Sequence, residues 1–531
     1  MNKIKEIIFK GTKTKLAILS YISLAVVGGF LLLGANVFLM RVVNDYLLAQ
    51  NFEGFTTPLL LTIGAFVLVF LVNGFAKYLQ TSFQFSLCLR LVEHYMERLL
   101  RAKSSYFLKI SSAEVYTKLR QSCDNVAYLV GNLLEGISHV TIFIFYGIII
   151  FSIDVYAGIF TVLFTPIYFF ATTKAIDILS DLEHEGMGQA AELSKVTQEA
   201  FGDVRNIKTK GAYSFFIQRS VAVLQQIKRN AVNSSVLGYY VGGVTALLGL
   251  VAPLLAIFAA MHFSPNFAGN AGAVLILYIN IPLFLSYFGR VYDQFIEYGV
   301  TKPFIKQLLE YNELELEQQG GVEITSFETL QTKGVTVKLP NGRVITVPDF
   351  EVKKGEKVMF AGESGVGKST IFNIIMGLSQ EYEGKVIVNG VNLREISLIS
   401  LRKIFGITLQ DTNIATLNLY DNIVLGRENN NAELEKLIKL TSLESVWKTK
   451  GDEILNNKVL SGGEKSRVGL SQMLVLNPQI MLIDESFSNM DEELETQILT
   501  KMFTDYKDRA VICISHRSSS EVFFDKIVRF N

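Results

Sequence analysis

Residues Gly362, Glu363, Ser364, Gly365, Val366, Gly367, Lys368, Ser369 and Thr370 are consecutive. Glycines at this density let the chain curl until successive backbone N–H groups converge on phosphate oxygens. A lysine closing such a loop neutralises β- and γ-phosphate charge, and the serine after it offers a hydroxyl to Mg²⁺. Alone, this run predicts binding of a nucleoside triphosphate. A second constellation is the acidic pair Asp484-Glu485, preceded by four apolar residues. Asp484 is placed to hold the Mg²⁺ shell, and Glu485 to polarise an attacking water. His516 follows another apolar stretch, at 510–515, and is expected at the same edge.

These groups meet only if strands deliver them. The segment 357–361 reads as a buried strand leading into the glycine loop, and an amphipathic helix follows at 370–378, its N-terminus aimed at the same anion. Residues 479–483 and 510–515 read as further parallel strands, and 405–409 as a strand ending at Gln410. Ahead of them lie a charged helix at 298–317 and the run Gln318-Gln319-Gly320-Gly321, a natural boundary. Two domains are therefore expected, 1–319 and 320–531.

The first domain has a different character. Half of the 531 residues are hydrophobic, only 19% are charged, and the apolar excess lies before residue ~300. Mean hydropathy is +0.32. That composition excludes a disordered or fibrous chain. Fifty Lys+Arg balance fifty Asp+Glu, so nothing calls for nucleic acid as a partner. Cys88, Cys123 and Cys513 lack CxxC spacing and read as buried thiols in a reducing compartment. Six stretches, near 16–42, 58–78, 126–151, 155–175, 236–261 and 271–292, meet the roughly 20 apolar residues that a bilayer crossing requires. Backbone in lipid must bond internally, so these are helices. The connections at 44–57, 152–154 and 262–270 contain no Lys or Arg, whereas those around 79–125 and 176–235 are rich in both. The positive-inside rule places both termini and the two long connections in the cytoplasm. Membrane helices running on into the cytosol are expected there, turning near 109–113 and 208–212. The fold class is thus a membrane α-helical domain of six transmembrane helices with long cytosolic extensions, fused to an α/β P-loop NTPase domain. A multi-pass protein of the cell membrane follows, surrounded by membrane lipid.

Between the glycine loop and Asp484 stand Leu460, Ser461, Gly462, Gly463 and Glu464, and after Glu485 comes Ser488-Asn489-Met490-Asp491. With Gln410 and His516, the order P-loop, Q-loop, signature motif, Walker B, D-loop and H-loop is complete. The whole resembles the ATP-binding cassette family, and with the membrane half an exporter-type half-transporter. The resemblance implies an ATPase that uses ATP and Mg²⁺, with Glu485, His516, Gln410 and Lys368 catalytic. It implies Ser369, Gln410 and Asp484 around Mg²⁺, and residues 362–370 around the phosphates. Two cassettes would pair head to tail, the signature residues 460–464 of one completing the site of the other, with Ser488 and Asp491 in the D-loop. The partner is then a second copy or a related half-transporter, and the tips of the long connections are coupling helices. Import on the same scaffold, such as siderophore uptake, stays open beside export. Two departures stand out: Leu339 occupies the place of the adenine-stacking aromatic, and Glu464 replaces a glutamine, adding a carboxylate near the nucleotide.

Cargo is expected to be a peptide, a lipid or another hydrophobic or amphipathic compound. Polar residues inside apolar spans are costly, which singles out Glu135 and His139 on one helix face and Arg290 near the inner end of the sixth span, where Asp293 is close enough to pair with it.

Overall fold

The computed structural model describes residues 6–8, 12–48, 54–107, 110, 112–202, 204–264, 267, 270–317, 320–338, 342–363, 365–428, 430–457 and 459–530. Ser364, Leu339, Lys109 and the Gln318-Gln319 pair lie outside the described residues, as does the side chain of Asp293. The chain divides into two compact units, one of residues 1–97 and 116–312, the other of 98–115 and 313–531.

The first unit is helical: α1 (Thr12–Arg41) with a π-helical continuation (Val42–Leu48), α2 (Thr56–Leu100), then, after a short α3 (Ser104–Phe107) that belongs to the second unit, α4 (Ser112–Ile153), α5 (Val155–Gly202), α6 (Val204–Lys210), α7 (Tyr213–Phe263) and α8 (Ala271–Glu313). At 1.5 Å per residue the helices of 42 to 51 residues exceed a ~30 Å hydrocarbon core by a wide margin, so they extend past it. Among the described residues, five helices are long and apolar enough to cross a membrane. The described apolar part of α5, Val155–Ala171, is shorter. Small residues such as Ala157, Ala256, Ala260 and Ala273 are buried, which lets helix backbones approach closely. A polar tie adds to this packing: Asn280 Nδ2 donates to Asn36 Oδ1 at 2.8 Å. The extensions of α5 and α7 are joined by Arg219–Glu199 at 2.6 Å and by Asn230 Nδ2 donating to Leu182 O at 3.1 Å. Their turn falls at Gly211–Ala212, within the stretch read from sequence. The first turn begins earlier than expected, because α2 ends at Leu100 and α3 intervenes before α4.

The second unit holds two sheets. One is antiparallel, β2-β1-β5-β6 with β3 also on β1. It consists of β1 (Thr329–Lys338), β2 (Val344–Thr346), β3 (Glu351–Lys353), β5 (Glu383–Val388) and β6 (Val391–Asn392). The other is parallel, in the order β10-β4-β9-β8-β7: β4 (Lys357–Ala361), β7 (Phe405–Thr408), β8 (Ile480–Asp484), β9 (Ala510–Ile514) and β10 (Lys526–Arg529). β4, β8 and β9 are buried at every position, as their unbroken apolar runs require of a sheet covered on both faces. The helices here are α9 (Lys368–Ile375), α10 (Leu398–Ile404), α11 (Leu419–Val424), α12 (Asn431–Leu440), α13 (Glu444–Lys450), α14 (Gly462–Leu474) and α15 (Glu492–Asp505). Residues 98–115 belong to this unit through a short clasp. Lys103 N donates to Glu315 O (3.0 Å), Glu317 N donates to Arg101 O (2.9 Å), and Lys103 pairs with Glu315 (2.6 Å). Glu317 then receives a two-pronged bond from Arg402 on α10, at 2.7 and 3.0 Å.

Candidate nucleotide site

The parallel order puts β4 between β10 and β9, and β8 beside β9, so the carboxyl ends of β4, β8 and β9 open on one edge. From β4 the chain enters the glycine loop. Gly362 has φ +151, and a Cβ there would lie 2.6 Å from Phe530 O. Gly367 has φ +108, and its Cβ would meet Ile345 Cγ2 at 2.3 Å. Both positions demand glycine for conformation and for space. Lys368 opens α9 and is buried, its Nζ donating to Gly362 O and Glu363 O at 2.7 Å each. Burial pulls Lys368 below the ordinary lysine range, and the nearby Glu485 and Asp484 carboxylates oppose that shift.

Ser369 Oγ donates to Asp484 Oδ1 at 3.0 Å. Burial pushes Asp484 up; the Ser369 bond and Lys368 work against it, and Glu485 adds to it. Glu485 stands at φ +47, a strained conformation for a residue with a side chain, and its own N–H bonds Ile514 O at 3.1 Å. Both of its carboxylate oxygens are engaged. Gln410 Nε2 donates to Oε2 at 2.8 Å, and His516 Nε2 lies 2.7 Å from Oε1. Strand ends β7, β8 and β9 thus bring together Gln410, Glu485 and His516, beside Lys368, Ser369 and Asp484 from β4–α9 and β8.

Ser461 is the N-cap of α14, and Glu464 completes a capping box: Glu464 N donates to Ser461 Oγ at 3.3 Å, and Ser461 N to Glu464 Oε2 at 2.7 Å. Lys450 lies 3.4 Å from the same oxygen. Glu464 therefore serves the helix start, a role finer than the extra carboxylate read from sequence. Burial raises its pKa, but the Ser461 bonds and Lys450 together hold it below the usual range. Leu460 is buried with Ile414 and Val468, and Gly463 packs so closely that a Cβ would sit 2.9 Å from Asn489 O. A cavity of about 350 Å³ lies between Gln410, Asn413, Gly462, Lys465 and Asn489. In the segment after Glu485, Ser488 N donates to Glu485 O at 3.0 Å, and Asp491 caps α15 through Leu494 N at 2.8 Å.

Sequence reading missed several supporting side chains. Thr408 and Ser486 hydroxyls meet at 3.0 Å beneath the acidic pair. Arg517 pairs with the buried Glu495 and donates to Met490 O at 2.6 Å. In the membrane unit, Glu135 pairs with Lys77 of α2 at 2.6 Å and lies 3.8 Å from His139 Nε2. Arg290 stands over the Tyr287 ring, 5.2 Å from its centre, and His139 meets the same ring edge-on at 5.6 Å. His139 and Arg290 thus share the Tyr287 ring, Glu135 joins them through His139, and the structure adds Lys77, whose signal is its place at the end of the second span.

Among family models, "ABC transporter transmembrane region" matches residues 18–289, more than half of the chain, and "ABC transporter" matches 345–488. "Iron-sulfur clusters transporter ABCB7, mitochondrial" of Danio rerio is 35% identical over 199 residues, 36% of this chain and 27% of that protein. "ATP-dependent lipid A-core flippase" of Methylobacillus flagellatus is 28% identical over 351 residues, 64% of this chain and 59% of that protein. The chain thus spans about a quarter of the first relative and under two thirds of the second. A solved bacterial Atm1-family ABC exporter with ATP bound shares the fold, with TM-score 0.78 at 20% identity over 97% of this chain and 93% of that one. Apolar helices ahead of a glycine loop, an acidic strand end and a capped signature helix are accounted for together: the chain belongs to the ABC transporters, with the exporter-type fold and an ATP-binding cassette fused to a multi-pass membrane region.

Proposed function

We propose that the chain works as one half of a dimer in the cell membrane, its cassette cytoplasmic, and exports a peptide, lipid or other amphipathic compound at the expense of ATP. The membrane domain is residues 1–319 and the cassette 320–531. The observation that carries this reading is the Glu485 carboxylate held between Gln410 and His516. Held this way, it can orient a water and accept its proton, with His516 and Gln410 keeping it in place. The triphosphate is received by the loop 362–370, and its negative charge opposes the downward shift that burial imposes on Lys368. Mg²⁺ suits the neighbouring oxygens: Ser369 and Asp484 offer a hydroxyl and one carboxylate, the few protein ligands this ion takes when phosphates supply others. Gln410 completes that shell. Among the described residues no cluster of three His, Cys, Asp or Glu side chains competes as a metal site. Ser461, Gly462 and Gly463 of the partner cap the γ-phosphate from the opposite side, with Ser488 and Asp491 at the seam.

Relatives carry names as different as iron–sulfur cluster transporter and lipid A-core flippase, so cargo is read from this chain's own chemistry: Glu135, His139 and Arg290 with Lys77, a charged and aromatic cluster inside a membrane unit. The test is Glu485→Gln in the purified, reconstituted protein. ATP binding is retained while turnover falls by about 10²-fold or more. Undiminished hydrolysis would overturn the assignment of the base.

A further inference from the structure

We propose that Arg517 is a positioning residue for ATP hydrolysis, tying the segment 488–491 to the strand end that carries His516 and so keeping Glu485 in register. The inference rests on the reading of Glu485 given above. Arg517 directly follows His516, and its backbone N donates to Ser515 Oγ at 3.2 Å. Its guanidinium reaches three acceptors: Nη1 pairs with Glu495, while Nη2 donates to Met490 O at 2.6 Å and lies 3.4 Å from Ser488 O. Glu495 is 1% exposed, and its second oxygen accepts from Ser520 Oγ at 2.6 Å, so the anion that orients the guanidinium is itself fixed. Glu495 sits one turn into α15, and its N–H bonds Asp491 O at 3.0 Å, which fastens the far end of the same segment.

The near end of that segment is Glu485 itself, with Ser488 N bonded to Glu485 O. Glu485 is held at a positive φ that relaxes once its surroundings loosen. A fork that grips the carbonyls of 488 and 490 opposes that relaxation. It does so from the residue adjoining His516, which contacts the other side of the Glu485 carboxylate. Lysine is a poor substitute, because its donors radiate from a single nitrogen on a shorter reach, whereas the planar guanidinium spreads Nη1 and Nη2 toward a carboxylate and two separated carbonyls.

The measurement is steady-state ATPase of the full-length, reconstituted protein. Arg517→Lys is expected to lower kcat about 10-fold, with KM for ATP within about twofold of wild type and Tm nearly unchanged, since misplacing a catalytic group acts on the chemical step. Arg517→Ala should lose more, and added guanidinium at millimolar concentration should restore part of its kcat. Wild-type kcat in Arg517→Lys, or a KM that rises in step with the loss, overturns the proposal. So does a loss in Arg517→Ala that guanidinium leaves untouched while Tm falls with it. If Arg517→Ala does not fold, the kcat–KM split in Arg517→Lys decides alone. Glu485→Gln assayed alongside keeps the parent reading separate: a dead Glu485→Gln with an unaffected Arg517→Lys sinks only the positioning role.

Discussion

The nucleotide site and the polar cluster of the membrane unit are built on opposite plans. In the cassette, Lys368, Ser369, Asp484, Glu485, Gln410 and His516 are each bonded to another member of the set or to the loop backbone beside it. In the membrane unit, Lys77 and Glu135 satisfy each other, but His139 Nδ1, and Gln294 Oε1 of α8 beside Gly136, are buried without a hydrogen-bond partner among the described residues. A site for one invariant chemistry is pre-organised down to its supporting bonds. The cargo role proposed for the membrane cluster would suit such unpaired polar capacity, which comes at a cost in stability.

The contrast is sharpest if Lys368 is removed. Lys368→Ala should cut ATP turnover by about 10²-fold or more and weaken nucleotide binding, because the cation facing the phosphates is gone. Binding at wild-type strength would erase the distinction between the two sites. Next in size, Gln410→Ala and His516→Ala should each lower kcat by about 10-fold or more while sparing ATP affinity, one oxygen of Glu485 being released in each case. In the membrane cluster, Glu135→Ala strands Lys77 and should lower cargo-stimulated ATPase several-fold. An equal loss of basal and stimulated activity would end its assignment to cargo. The smallest effect belongs to Glu464→Gln, within about twofold in turnover, since a glutamine also closes a capping box. Its stability signature depends on pH. Glu464 is held below its usual pKa when folded, so its contribution is present above the ordinary carboxylate value and is lost as pH falls through the depressed one. The Tm gap between wild type and Glu464→Gln should therefore narrow on acidification, and a gap that widens contradicts the bond to Ser461.

What the sequence makes legible follows from distance along the chain. Gly362 to Thr370 and Asp484-Glu485 are local patterns whose geometry a single strand–loop junction sets, and the order of motifs leads directly to Gln410 and His516. Ser461 and Glu464 also carry a readable capping box, although the acidic residue was read as electrostatic. Arg517 and Glu495 lie 22 residues apart and carry no local signature, so only the fold discloses that the arginine after His516 grips a buried anion. The turn after α2 comes earlier than its sequence suggests, because the apolar periodicity of α2 gives no sign of where residue 101 leaves the helix. Lys77 stood in plain view at a span end, but its partner comes from a helix 58 residues away.

The clasp between 101–103 and 315–317 makes two stretches far apart in sequence part of the second unit. The polypeptide passes between its two compact units three times, after residues 97, 115 and 312. Two of these three crossings are buttoned together within the second unit and fastened there by Glu317 to Arg402. A cassette cut free at residue 320 would leave behind 101–103 and 315–317, and with them the carboxylate that holds Arg402.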